Sequence, residues 1–426
     1  MPPADPPSAD GLVLRPFRAV RYNAGVVGDI SRVVSPPYDV IDEADRDALE
    51  RRDPHNVVRL ILPRDEQGRD GDAAYAHAAR LWRDWQASGV LAADEAPAIY
   101  VYEQASANHV QRGLLGAVGL RPSEAGVILP HENTMAGPVA DRLALMEATE
   151  ANLEPIILVH DGGPVTRSAV AEVDIKPPLA DFTTADGWRH RLWPIADPTL
   201  LDAIAAELQP RRAVIADGHH RYATYLRYQA DRDAPRPGKQ PWDYGLALLV
   251  DAGTFGPQVH AIHRVVLGIS LDEAVGMAST AFRVTPLNVG EDPEATLADS
   301  ADTAFVVTDG HLAYLLDQPD AARQSVALPA DRSQAWRALD VAVAHELLVK
   351  AVWGLPDTED VVGYRHDAAS AVEAARADGG VALLLRATPV TAVTAVAAAG
   401  ERMPRKSTLF TPKPASGLVM RDLRLG

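Results

Sequence analysis

Residues 213–222 read Ala-Val-Ile-Ala-Asp-Gly-His-His-Arg-Tyr, and no other stretch narrows the possible folds as much. Ala213 to Ala216 has the short β-branched composition of a strand, and Gly218 permits a tight backbone turn. Tyr222, Tyr225, Leu226 and Tyr228 then recur at helical spacing. A helix opening directly after a strand and a glycine aims its unpaired first-turn N–H groups, and the positive end of its dipole, at whatever anion lies over the turn. Arg221 adds a forked, permanently charged donor suited to phosphate oxygens. Asp217, at the carboxyl end of the strand, has the chemistry to hold a hydrated Mg²⁺ or accept a proton. The bland alternative is a structural turn, with Gly218 supplying a positive φ and His219 and His220 satisfying nearby carbonyls.

The chain has 426 residues, 47% of them hydrophobic, so it can bury a large core and carry two or three domains' worth of structure. It contains no cysteine, which excludes disulfides, thiolate metal sites and cysteine nucleophiles. The formal net charge of -17 repels a phosphate backbone, and no Lys/Arg run is long enough to form a basic stripe. Nucleic acid is therefore not an expected partner. No run of eighteen apolar residues is present, and the proline-rich, acidic start Met1 to Gly11 lacks the basic-then-apolar order of a signal peptide. A cytoplasmic protein without membrane contact is expected. Oligomeric state is not legible.

Residues 1–11 read as a disordered leader, followed by a strand over 12–22 and a proline-stiffened loop over 33–41. Asp72 to Val90 is an amphipathic helix. Strands are expected at 98–103, 113–120 and 155–160, with a helix over 139–149. Asp197 caps a helix over 197–208 that has Pro198 at its first position and leads into the Asp217 strand. Further strands fit 245–251, 305–308, 313–317 and 381–386, and helices fit 339–353 and 390–399. Strand and helix alternate, so the fold class is α/β or α+β with a mixed sheet. The expected parts are an N-terminal α/β part over 12–165, a phosphate-box segment over 178–235 and a C-terminal α/β part over 242–426. Pro/Gly-rich joints fall near 164–178 and 232–241.

Two other segments concentrate polar chemistry. Residues 128–142 hold His131, Glu132, Asn133, Thr134, Asp141 and Arg142 beside Pro130 and Pro138. Glu132 could deprotonate a hydroxyl, and Arg142 could grip a carboxylate or phosphate; the alternative is a well-capped helix entry. Residues 402–417 gather Arg405, Lys406, Ser407, Thr408 and Lys413, read either as a rigid loop closing over an anion or as a solvated basic turn. Asp39, just past Pro36-Pro37, is a further candidate base or a simple turn acceptor.

The segments 16–21 (Pro-Phe-Arg-Ala-Val-Arg), 35–41 (Ser-Pro-Pro-Tyr-Asp-Val-Ile), 131–134, 141–143, 217–222 and 403–408 (Met-Pro-Arg-Lys-Ser-Thr), in this order, resemble the bacterial and archaeal family known as domain of unknown function 1015. That resemblance runs from about Arg15 to Leu423 and names no activity. Locally, residues 217–222 are similar to the phosphate-binding box of the ParB/sulfiredoxin superfamily, which implies a ParB/sulfiredoxin-like core with elaborating segments. His219 stands where sulfiredoxins carry their reactive cysteine, so sulfiredoxin chemistry is excluded. Pairing Asp-Gly with His-His-Arg looks most like the free-serine kinases of that superfamily. The resemblance implies a phosphotransferase that uses ATP, ADP or pyrophosphate, with Mg²⁺, and a small serine-like acceptor. In that scheme Gly218, His219, His220, Arg221, Arg405, Lys406, Ser407, Thr408 and Lys413 bind phosphate. Glu132, Asp217 and Asp39 are the catalytic carboxylates, with Asp217 on the metal. His131, Asn133, Thr134, Asp141 and Arg142 bind the substrate. A nucleotide-binding switch, or a metal-dependent hydrolase built on His131, Glu132, His219 and His220, are the alternatives.

Overall fold

The computed structural model describes residues 11–175, 177–232 and 238–426. The expected leader, and part of the joint at 232–241, lie outside the described residues. The chain divides into two compact units, one reaching to Pro257 and resuming at Pro412–Gly426, the other formed by Gln258–Thr411.

The first unit is built on a nine-stranded mixed sheet. Its order is 128–129, 213–217, 156–160, 244–251, 110–119, 99–105, 189–195 and 180–183, with Leu14–Arg15 pairing off this path to the 110–119 strand. The Asp217 strand runs parallel to 128–129 and antiparallel to 156–160. The fold is thus mixed α/β with a mixed sheet, as the alternation of elements implied. The central strand Tyr244–Asp251 is buried along its whole length, consistent with its near-continuous apolar sequence. The sheet buries Val101, Leu114, Val118, Ile156, Leu158 and Trp193 in the same core cluster as Ile204 and Leu208 of the helix Pro198–Leu208. That helix is capped as its sequence predicts, with the Asp197 carboxylate accepting from Leu200 N–H at 2.8 Å. A second cluster, centred on Trp82, Trp85, Leu60 and Val20, forms where the helix Asp72–Ala87 buries its apolar face.

Several local expectations are corrected. The strand expected over 12–22 is two short pieces, Leu14–Arg15 and Val20–Tyr22, because Pro16 cannot donate to a continuing ladder. The helix expected to begin at Val139 begins at Ala136 and takes Pro138 into its first turn, where its missing N–H is harmless. The joint expected near 164–178 contains a helix, Pro164–Ala171, whose first N–H groups are held by the Glu207 carboxylate. A hairpin over Ala180–Thr183 and Arg189–Ile195 escaped the reading.

The second unit carries a six-stranded, wholly antiparallel sheet in the order 283–286, 313–317, 304–308, 381–384, 263–266 and 362–365. The buried helix expected over 339–353 is present, but its greater part, Val343–Val352, is a π-helix. Among the described residues of both units, no helix is long and apolar enough to cross a membrane.

Gly245 lies where a side chain on the central strand would run into the Tyr225 ring of the Asp217 helix. Gly245→Ala should therefore cost about 1–3 kcal/mol through overpacking, measured by urea denaturation. Gly137→Ala, at a position with open space around it, should leave stability within about 0.5 kcal/mol of wild type. Equal effects for the two variants would show that the strand–helix contact is not close-packed.

Candidate functional site

The Asp217 turn is shaped by backbone. Gly218 adopts φ 90°, ψ 30°, a left-handed conformation that costs glycine nothing, and a Cβ there would approach Ile156 Cγ2 to 2.8 Å. Just before it the ladder slips: Ile215 pairs with Leu158 and Asp217 with Ile157, leaving Ala216 as an extra residue. Ala213 and Ile215 face the core cluster, and strict alternation would send Asp217 after them. The bulge turns its carboxylate out of that core. The following helix, His219–Ala230, has no side-chain cap at its N-terminus.

Asp217 sits in a chain of alternating charge. Its Oδ2 accepts from Arg221 at 2.5 Å, its Oδ1 lies 2.8 Å from Lys413 Nζ, and Lys413 Nζ lies 2.9 Å from Asp39 Oδ2. Arg221 is buried and also donates to the Pro155 carbonyl, while its Nε, without a hydrogen-bond partner among the described residues, lies 3.2 Å from where a Cβ on Gly218 would stand. Burial opposes charge on Lys413, but Asp217 and Asp39 outweigh it and hold the ammonium above its usual range. Partial burial would raise Asp39, and the nearby Lys413 and Arg221 overcome that and hold its carboxyl below the ordinary value. Lys413, Asp39 and Arg221 are therefore charged at neutral pH.

The 128–142 segment meets the same helix start. His131 N–H donates to His219 Nε2 at 3.3 Å, and Met135 N–H donates to His220 Nε2 at 3.0 Å. With Nε2 accepting, the proton of each neutral ring sits on Nδ1. Burial lowers the His220 pKa further than Asp39 restores it, so at neutral pH this ring is a neutral Nδ1–H donor at the second position of the helix. Glu132 lies 3.7 Å from His219 Nδ1 and 3.9 Å from His131 Nε2. The ligand atoms of His131, Glu132 and His219 fall within 4.8 Å of one another, the spacing a metal would need. A metal bound through Nδ1 of His219 would displace its proton to Nε2, where it would confront the His131 N–H, and one bound through Nε2 would take the acceptor of that N–H. That conflict counts against the hydrolase alternative. Asn133 and Thr134 are exposed on the turn between these contacts.

Arg142 is buried, paired with Asp141 at 2.6 Å and donating to the Ile61 carbonyl. Its guanidinium lies 4.3 Å from the centre of the Tyr38 ring, and that of Arg221 lies 6.0 Å away. Asp141 also accepts from the Tyr75 hydroxyl at 2.5 Å, which pushes that phenol, already raised by burial, up to about 12. A small cavity of about 40 Å³ is lined by Arg142, Glu154, Arg221, Thr224 and Tyr225 among others. Glu154 and Tyr38 were not singled out from sequence. Glu154 accepts from Tyr38 N–H at 3.0 Å and from the Ser416 hydroxyl at 2.8 Å, tying the Asp39 and Lys413 segments together. Tyr38 had two advance signals, its place beside Asp39 and in the 35–41 motif, and Glu154 had none.

Of the basic 402–417 segment, Lys413 belongs to the first unit. Its carbonyl accepts from Gln104, that of Pro412 from Gln111, and Ala415 N–H donates to the Tyr102 hydroxyl at 3.1 Å. Arg405, Lys406, Ser407 and Thr408 belong to the second unit. There Arg405 pairs with Glu359 at 2.9 Å, the Lys406 carbonyl accepts from Arg264, Ser407 donates to the Pro404 carbonyl, and Thr408 is buried.

The Tyr102 hydroxyl that receives Ala415 N–H lies 2.7 Å from His190 Nδ1, and burial pushes His190 down to about 4. The unfolded imidazole titrates near 6.5, so between these values the folded state binds fewer protons. The His190 contribution, at most about 3 kcal/mol, should be lost progressively as pH drops below about 6.5 and be gone below about 4. His190→Gln should flatten this slope in urea denaturation between pH 7 and pH 4. An unchanged slope would place the low-pH loss in other groups, such as His160, which burial also pushes down to about 4.

No curated protein matches this sequence. Solved structures do match, each weakly. SbnI with a C-terminal truncation from Staphylococcus aureus has 12% identity and a TM-score of 0.35, over 72% of this chain and 86% of that one. A free serine kinase in complex with AMP has 16% identity and a TM-score of 0.34, over 71% and 91%. A conserved hypothetical protein from Pyrococcus furiosus has 12% identity and a TM-score of 0.32, over 76% and 100%. The family model described as "Protein of unknown function (DUF1015)" matches residues 14–342, most of the chain, including Asp39, the 128–142 segment and the Asp217 turn, and the chain belongs to that family.

Proposed function

We propose that the chain is a small-molecule phosphotransferase, taking a phosphoryl group from a nucleotide or pyrophosphate and passing it to the hydroxyl of a serine-like acceptor. The observation that carries this reading is the uncapped N-terminus of the helix His219–Ala230, opened by left-handed Gly218 and flanked by charged side chains. The first-turn N–H groups of a helix, together with its dipole, favour an anion at that place. The donor phosphates would rest on the N–H groups of residues 219–221 and on the His220 Nδ1–H. Mg²⁺ would accompany the donor, bound to its phosphate oxygens. Arg221, spent on Asp217 and Pro155, would fix the turn.

In the transfer the acceptor oxygen bonds to phosphorus, the bond from phosphorus to the leaving oxygen breaks, and the hydroxyl proton passes to a carboxylate. Glu132, with its side chain 41% exposed beside His219, and Asp39, 37% exposed beside Lys413, are the two groups positioned to receive it. Lys413 and Arg221 stabilise the ionised form of Asp39, which weakens it as a base. Catalysis by such a site rests mainly on alignment and fixed charge.

Transfer from ATP, ADP or pyrophosphate to a panel of amino acids and polyols, followed by phosphorus NMR, tests the reading. His220→Ala should weaken donor binding by about 10-fold or more, the worth of one charge-assisted hydrogen bond. Glu132→Gln should leave donor binding intact and lower turnover by about 10²-fold or more, with Asp39→Asn less affected. Donor binding with no acceptor-dependent product across the panel would replace the transferase by a nucleotide-binding switch.

A further inference from the structure

We propose that Lys413 is the resident cation of the Asp39–Asp217 pair: its ammonium fills the place a divalent ion would otherwise take, so the chain holds no metal through Asp217. The proposal concerns the same cleft as the phosphotransferase reading, but it is read out by metal binding, so either can fail without the other.

Three observations support it. Each carboxylate oxygen of Asp217 already faces a cation, Oδ1 at 2.8 Å from Lys413 and Oδ2 at 2.5 Å from Arg221, and Asp39 Oδ2 faces the same ammonium at 2.9 Å. Two carboxylates against one ammonium and one guanidinium sum to zero charge. Mg²⁺ and Mn²⁺ are held by oxygen ligands at close to 2.1 Å and gain little from a neutral cluster whose carboxylates are already shared.

The lysine is also built in. Its side chain is 16% exposed. The backbone on either side is fixed by Gln104, Gln111 and Tyr102, and Ser416 exchanges backbone hydrogen bonds with Ser35 at 3.2 and 2.8 Å. This zips the Lys413 segment to the segment that carries Asp39. A lysine merely resting on the surface would have none of these anchors.

Finally, the two carboxylates converge. Both place an oxygen within 2.9 Å of one point, the position of Nζ. Removing only the ammonium leaves a polar hollow with two carboxylates, one arginine and a net charge of -1. Hard divalent cations bind such a hollow by drawing the oxygens in and completing their shell with water.

The test is titration of the full chain with Mn²⁺ alone, following the loss of the free Mn²⁺ EPR signal, with circular dichroism confirming that each variant is folded. Wild type and Lys413→Arg should show no site that depends on Asp39 or Asp217. Lys413→Gln should gain one Mn²⁺ site at least tenfold tighter than any in wild type, and adding Asp39→Asn should abolish it. A folded Lys413→Gln that gains no such site overturns the proposal. So does a wild-type Mn²⁺ site that Asp39→Asn weakens tenfold or more, a result that does not depend on whether Lys413→Gln folds.

Discussion

The ion chain Asp39–Lys413–Asp217–Arg221 is the interaction on which the rest of the site depends. Its members come from residue 39, from the strand–helix turn at 217–221, and from a segment that returns to the first unit only after the 154 residues of Gln258–Thr411. Such charges taken partly out of water are tolerable only when paired and hydrogen-bonded. Lys413 and Asp217 each have a partner on either side, Arg221 has Asp217 and the Pro155 carbonyl, and Asp39 closes the chain on Lys413. Removing any one would leave its neighbours uncompensated, which makes the three segments mutually dependent despite their separation in sequence.

What could be read in advance follows the range of the forces involved. The strand, glycine and helix of 213–230 were legible because each depends on residues within one turn of itself: β-branched alternation, a glycine free to take positive φ, and aromatic residues at helical spacing. The 128–142 segment stood out for a similar reason, since four polar groups between Pro130 and Pro138, with Asp141 and Arg142 just beyond, are conspicuous in an apolar stretch. The bulge at Ala216 was not legible, because register slips are set by the partner strand. Nor was the part played by Glu154, a single carboxylate before Pro155 with no spacing pattern, whose importance comes from Tyr38 and Ser416.

Lys413 lies between these cases. Composition marked it as one of several cations in 402–417, but nothing local separates it from Arg405 and Lys406. The separation is made by where the chain passes from one unit to the other, between Thr411 and Pro412, and by Gln104 and Gln111 on distant strands that accept the new backbone. In the same way, the fork of Arg221, read as a phosphate grip, is aimed at Asp217 and Pro155. A guanidinium's reach is long enough that sequence fixes its charge and leaves its target to packing.

The division of labour that results bears on how an anion would be recognised. Within the ion chain the formal charges cancel, so it offers a phosphate no net attraction at long range. An electropositive feature beside it is the start of the Asp217 helix, with roughly half a unit of positive charge and no side-chain cap. Its donors point along fixed directions and cannot be neutralised by a shift in pH. His220 supplements them as a neutral donor, its ring oriented by Met135 N–H. On this reading specificity for a phosphate comes from backbone geometry, and the side-chain charges serve to hold that backbone and the acceptor-side carboxylates in register. A turn built this way tolerates an anion arriving and leaving repeatedly, because the ions that stabilise the fold are not the ones that would have to let go of it.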